Sequence, residues 1–244
     1  MINKNYLKTL LKKNKFIYEI INSIYKVLFN IKLKYFSGTN KDIFTNIYLK
    51  NTWGDKDSFS GPGSNLNQTK VVLKELSKII INYKIKNFLD IPCGDFYWMK
   101  EFDLKNINYI GADIVSEIVK KNIKKYKCHN INFENLDLLS DNLPDSDLIF
   151  IRDCLVHFSF QDIFKALQNI RKTNSKFILT TTFFDRTKNY DISTGAWRTI
   201  NFRKPPFNFP EPIMTINERC TENNNKFSDK ALSLWELKQI PDYK

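Results

Sequence analysis

Nowhere in the 244 residues does an apolar run approach the roughly 20 needed to cross a bilayer. The opening Met1-Ile2-Asn3-Lys4 has neither the short apolar block nor the small-residue cleavage site of a signal peptide. Histidine is scarce, with only His129 and His157, and the four cysteines (Cys93, Cys128, Cys154 and Cys220) form no Cys-x-x-Cys pair. These absences argue against a membrane-spanning helix, a zinc site and a disulfide framework. The expectation is a cytoplasmic chain that binds no metal and keeps its thiols buried or semi-buried. No internal repeat is visible.

What is present is a full complement of core-forming side chains, 42% hydrophobic and 14% aromatic. That is enough for one large domain or a domain with an extension. The formal charge of +12 permits an anionic partner, whether nucleic acid, a phosphorylated substrate or a membrane surface, without requiring one.

Residues 1–36 are basic and amphipathic, with Leu7, Leu10, Leu11, Ile17, Ile20, Ile21, Ile24 and Leu28 near helical spacing. Helices packed on the catalytic domain explain this pattern, and so does a helix lying on an acidic membrane surface. Ser37-Gly38-Thr39-Asn40 breaks it. We therefore divide the chain into a basic helical extension, 1–45, and a main domain, 46–244. A short helix is expected over 42–50 and a longer one over 66–83, capped by Ser64 or Asn65. Strand and helix patterns then alternate. The strands fall at 85–91, 108–114, 131–136, 148–151 and 176–183, and the helices at 96–102, 116–126 and 161–173. Two short strands at 212–217 and 231–238 fit an antiparallel edge. The fold class is α/β: a Rossmann-like, mostly parallel sheet with helices on both faces and an antiparallel edge, preceded by the N-terminal helical extension.

In such sheets ligands bind beyond the carboxyl ends of the strands, where the strand order reverses. Acids stand at three successive strand ends: Asp90 in Asp90-Ile91-Pro92-Cys93-Gly94-Asp95, Asp113 before Ile114, and Asp137 before Leu138. Asp113, 23 residues beyond Asp90, is placed to accept hydrogen bonds from ribose hydroxyls. Asp137 is placed to accept one from an adenine amino group. Each acid alone reads as a helix cap; three together read as one shared ligand site.

Leu89-Asp90-Ile91-Pro92-Cys93-Gly94-Asp95 resembles the first motif of class I S-adenosylmethionine-dependent methyltransferases, acid-x-Gly-x-Gly-x-Gly, with Pro92 in place of the first glycine and Gly94 retained. The resemblance covers about residues 46–184. It implies S-adenosylmethionine as cofactor, with Asp90, Pro92, Cys93 and Gly94 near its methionine part. Asp113 would hold the ribose, Ile114 would pack on adenine, and Asp137 and Leu138 would read the adenine edge. Upstream, Trp53-Gly54 and Ser60-Gly61-Pro62-Gly63-Ser64 are similar to a narrower group, methyltransferases encoded with bacterial capsular polysaccharide genes, including those tied to methyl phosphoramidate decoration. That resemblance implies a role in capsule biosynthesis and a small phosphorylated or sugar-linked acceptor. Gly61 and Gly63 also allow close backbone approach. Amides at the start of helix 66–83 offer an anion site for the cofactor carboxylate or a substrate phosphate.

After the fourth strand, Arg152-Asp153-Cys154-Leu155-Val156-His157 lies where this fold faces the transferred methyl group. Arg152 is counted with the cofactor residues. Asp153 and His157 are both candidate bases for an acceptor proton, and in a helix their i,i+4 spacing puts them on one face. Tyr190, Trp197 and Arg198, in the loop after the fifth strand, are candidate substrate residues; Arg152, Arg186, Arg198 and Arg203 are able to clamp an acidic group. Three alternatives compete. A nicotinamide enzyme is disfavoured because Pro92 and Asp95 crowd the turn that a dinucleotide needs glycine-rich. A nucleic-acid methyltransferase fits the charge, but no nucleic-acid module is visible, so no nucleic-acid partner is expected. A non-catalytic membrane- or partner-binding protein retaining the fold has only the basic N-terminus in its favour.

Overall fold

The computed structural model describes residues 38–53 and 56–243. All lie within one compact unit, Gly38–Lys244. The amphipathic segment 1–36, with its proposed packing or membrane contact, lies outside the described residues, as does Gly54. Among the described residues no helix is long and apolar enough to cross a membrane.

The core is a seven-stranded sheet. Its strands are β1 (Asn87–Asp90), β2 (Asn108–Asp113), β3 (Ile131–Asn135), β4 (Leu148–Ile151), β5 (Phe177–Phe183), β6 (Met214–Asn217) and β7 (Lys230–Glu236), in the order β3-β2-β1-β4-β5-β7-β6. The first five are parallel, and β7 runs antiparallel between β5 and β6. The antiparallel edge expected from the sequence is therefore present. β1 lies between β2 and β4, so successive connections leave it in opposite directions, and a crevice opens at its carboxyl end.

Helices α1 (Asn40–Leu49), α2 (Leu66–Asn82), α3 (Ser116–Tyr126) and α4 (Phe160–Ile170) flank the sheet. α1 carries a capping box, Thr39 with Asp42, and it runs across residue 45, where the sequence placed a boundary. Of the two candidate caps of α2, Asn65 is the one used: its side chain accepts from the Gln68 amide. Alternate strand residues face opposite ways. Phe88, Phe150 and Leu179 pack with Val72, Leu76 and Ile79 of α2, whereas Leu89, Ile149 and Ile178 pack with Ile163, Leu167 and Ile170 of α4.

One expected helix is absent. Residues 96–102 hold only a 3₁₀ turn, Met99–Glu101. Phe96 sits at φ +58°, outside the helical region, and Phe96, Trp98, Met99 and Phe102 are all buried. The segment around 152–158 likewise contains only a 3₁₀ turn, Leu155–His157, because Asp153 adopts φ +53°. The shared face that a helix would have given Asp153 and His157 does not exist; a tight turn brings them together instead.

Candidate active site

A cleft of about 1000 Å³, its open mouth included, lies at the carboxyl ends of β1, β2 and β4. Asp90, Asp113 and Asp137 all line it, together with Pro92, Cys93, Gly94, Ile114 and Leu138. The three acids that the sequence placed at separate strand ends therefore share one cavity.

Each acid is held differently. Asp113 accepts from the backbone amides of Val115 (2.9 Å) and Gly94 (3.2 Å). Burial nevertheless raises its pKa to about 6. Asp90 is buried more deeply. It accepts a 2.6 Å hydrogen bond from the Tyr109 hydroxyl, yet burial drives its pKa up to about 8. Asp137 caps the turn after β3 through the Leu139 amide at 2.9 Å.

Gly94 adopts φ +55°, and a Cβ there would strike Ser60 Oγ. The Asp90 loop and the upstream loop thus meet at a point where only glycine fits. Asp95 then ties the two together: its carboxylate accepts from Ser58 Oγ (3.0 Å), the Phe59 amide (2.9 Å) and Ser60 Oγ (3.3 Å), and its own amide donates to Ser60 Oγ (3.2 Å). Of the upstream residues, Trp53, Ser60 and Ser64 line the cleft, whereas Gly61 and Gly63 do not. Gly61, at φ +97°, packs against Trp53, and a Cβ on Gly63 would lie 3.0 Å from Asp153 Oδ2 and 3.3 Å from Lys230 Nζ. Around the start of α2, the Ser64, Asn65 and Gln68 amides donate internally, to Gly61 O, Pro62 O and Asn65 Oδ1.

The other end of the cleft holds Arg152, Asp153 and His157. Asp153 bonds Lys230 Nζ at 2.6 Å and lies 3.4 Å from Arg152. Burial alone would raise its pKa, but Lys230 and then Arg152 override this and hold it at about 2. Arg152 also donates to Glu218 Oε2 (2.7 Å) and to the Gly63 carbonyl (2.8 Å), and its guanidinium lies 5.5 Å from the Trp98 ring centroid. It is a cross-brace between loop and sheet. His157 Nδ1 lies 2.8 Å from the Ala196 carbonyl. A carbonyl only accepts, so Nδ1 carries the proton and Nε2 is left with a lone pair. The ring stacks on Trp53, with centroids 4.8 Å apart. Burial lowers its pKa to about 4, so the ring is neutral near pH 7.

The three substrate candidates lie elsewhere. Arg198 is buried, and its guanidinium donates to the carbonyls of Tyr190, Leu155, Val156 and Phe158. It fastens the His157 turn with four of its five N–H donors, and it does not line the cleft. Tyr190 and Trp197 are not among the residues lining the cleft; Trp197 packs its ring against Phe227. Lys230 and Glu218 were missed. Lys230 opens a strand whose next five residues, Ala231 to Trp235, are apolar or small, and a lysine in such company signals a buried partner. The identity of that partner follows only from the pairing of β7 beside β5.

No family model matches the chain, and no curated protein matches it. Solved structures do. An S-adenosylmethionine-dependent methyltransferase from Leishmania major superposes with a TM-score of 0.57 at 14% identity, over 82% of this chain and 86% of that one. The N-methyltransferase NodS from Bradyrhizobium japonicum, solved with S-adenosyl-L-homocysteine, gives 0.53 at 14%, over 78% and 98%. Magnesium protoporphyrin IX methyltransferase from Synechocystis, solved with S-adenosylmethionine, gives 0.52 at 11%, over 82% and 98%. The fold is that of S-adenosylmethionine-dependent methyltransferases. Within it, Asp90, Asp113 and Asp137 stand at the ends of the first three strands, and Asp153 and His157 follow the fourth.

Proposed function

We propose that the chain is an S-adenosylmethionine-dependent methyltransferase acting on a hydroxyl of a small, sugar-linked acceptor. The observation that carries this is the convergence of Asp90, Asp113 and Asp137 on one cleft. Four aspartates line it, and Arg152 is the one lysine or arginine among the described lining residues. So acidic a cleft, in a chain of net charge +12, suits a ligand that is itself cationic, and this cofactor bears an ammonium and a sulfonium. Asp113 would take the ribose hydroxyls, Asp137 the adenine amino group, and Ile114 and Leu138 the adenine faces. Gly94 allows the backbone to approach the methionine part. When bound, the cofactor supplies an electrophilic methyl group; the chain has then to align an acceptor and receive its proton.

The acceptor end supports a hydroxyl. His157 Nε2 and the Asp153 carboxylate are both hydrogen-bond acceptors, so they select a group that donates. A phosphate oxygen there would face a carboxylate, with both nearby cations already paired; any phosphoryl group on the acceptor belongs away from the reacting oxygen. Asp153 is too tightly ion-paired to be the base, which leaves His157 to take the proton, with the Asp153 charge favouring the imidazolium. The similarity of the Trp53–Ser64 region to capsule-locus methyltransferases supports a cytoplasmic step in surface-polysaccharide assembly.

Calorimetry with S-adenosylhomocysteine tests the cofactor, and transfer of labelled methyl groups to sugar nucleotides and oligosaccharides tests the acceptor. Asp113→Ala is expected to abolish binding; retained affinity would remove Asp113 from the site. His157→Ala is expected to lower turnover about 100-fold while leaving S-adenosylhomocysteine affinity intact, and undiminished turnover would reject the base.

A further inference from the structure

The carboxylate of Asp90 is buried at the bottom of the cleft, and the group that holds it comes from the neighbouring strand. Asp90 on β1 pairs in register with Gly111 on β2. Tyr109 lies two residues before Gly111 and so projects from the same face of the sheet. Its ring runs over Gly111: a Cβ there would lie 3.0 Å from Tyr109 Cε1 and 2.8 Å from Phe133 Cδ1. Gly111 is thus bare where the ring must pass. The ring is wedged edge-on against Phe88, with centroids 5.6 Å apart, and tilted against Phe96 at 5.4 Å. That wedge delivers the hydroxyl to Asp90 Oδ2 at 2.6 Å.

We propose that Tyr109 is a positioning residue of the cofactor site: it fixes the Asp90 carboxylate through one oxygen and leaves the other for the ammonium of an amino-acid-bearing ligand. This deepens the cofactor reading above and rests on it. The charged and titratable groups that bear on Asp90 are Tyr109 and Asp113 from β2, Arg152 after β4 and Cys93 in its own loop. Burial and Asp113 favour the protonated acid; the Tyr109 hydroxyl and Arg152 favour the carboxylate. With a pKa of about 8, Asp90 is protonated at neutral pH and must release its proton as the ammonium arrives. Binding is therefore coupled to proton release, and affinity rises with pH until Asp90 is ionised without ligand.

The test is calorimetric titration of S-adenosylhomocysteine from pH 6 to 9, in buffers of differing ionisation enthalpy, with wild type, Tyr109→Phe and Asp90→Asn. Tyr109→Phe keeps the ring and removes only the hydroxyl. Without its donor the carboxylate holds the proton more tightly. We expect affinity near pH 7 to fall about tenfold, and the rising limb to move about one unit upward, the effect of one lost charge-assisted hydrogen bond. Asp90→Asn should flatten the profile and abolish proton release. Equal weakening at every pH in Tyr109→Phe, or proton release persisting in Asp90→Asn, would overturn the proposal. Absence of S-adenosylhomocysteine binding to wild type at every pH would instead overturn the cofactor reading beneath it. Near-ultraviolet circular dichroism separates either result from misfolding.

Discussion

Asp153 illustrates how far a residue's chemistry depends on its neighbours. By sequence it stands level with His157 as a base. In the fold it is enclosed by Lys230 and Arg152, while Glu218, also buried, pairs with both cations. Such a network is costly to break, since a buried charge loses its partner. Lys230→Met is expected to destabilise the protein by about 3 kcal/mol, read from the urea midpoint, and to reduce turnover because Asp153 is released from its position. A neutral effect on stability would show that water already screens the pair. Arg198 and Tyr109 carry the same lesson. One is an arginine whose donors close on backbone carbonyls; the other is a core tyrosine whose hydroxyl reaches a site residue. Neither role is a property of the residue type.

At the scale of elements, the cleft is assembled from loops that hold one another. The segment after β1 has no helix, and its turn is latched through Asp95 to Ser58, Phe59 and Ser60. The Asp95 carboxylate fastens the upstream loop over the cleft. Tyr48 and Phe59 pack on that wall, with centroids 5.7 Å apart, and Lys121 Nζ bonds the Tyr48 hydroxyl at 2.8 Å. Asp95→Ala should let this wall open. S-adenosylhomocysteine is expected to dissociate about tenfold faster in stopped-flow chase measurements, with little change in melting temperature. An unchanged rate would show that the loop stays closed without its latch.

Over the whole molecule, the unusual pKa values make stability depend on pH. Asp90 and Asp113 are raised on folding, so the stability they contribute is complete below their unfolded value near 4. It is lost as pH rises through about 6 for Asp113 and about 8 for Asp90. His157 is lowered, so its contribution is present above 6.5 and lost as pH falls toward 4. Between pH 4 and 6.5 these effects oppose. From 6.5 to 8 only Asp90 still titrates, and the ligand-free protein should lose stability by at most about 1.4 kcal/mol per pH unit. Saturating S-adenosylhomocysteine should remove that slope in thermal melts, because the ammonium stabilises the ionised acid. A flat ligand-free profile over this interval would mean that Asp90 does not titrate there.

The alternation of strands and helices, the antiparallel edge and the three acids at strand ends were legible in the order of residues, because hydrophobic periodicity and the position of a polar residue just after an apolar run are local properties. The linear pattern failed at 96–102, where a left-handed Phe96 turns the chain out of a helix, and a left-handed Asp153 likewise keeps 152–158 from forming one. It also failed at Lys230, Glu218, Tyr109 and Arg198, whose partners lie far along the chain or on adjacent strands. By itself the sequence determined which side chains stand at the mouth of the sheet. Only the tertiary structure decided which are ionised, which are braced and which face the cleft, since burial and pairing arise from segments that meet only on folding.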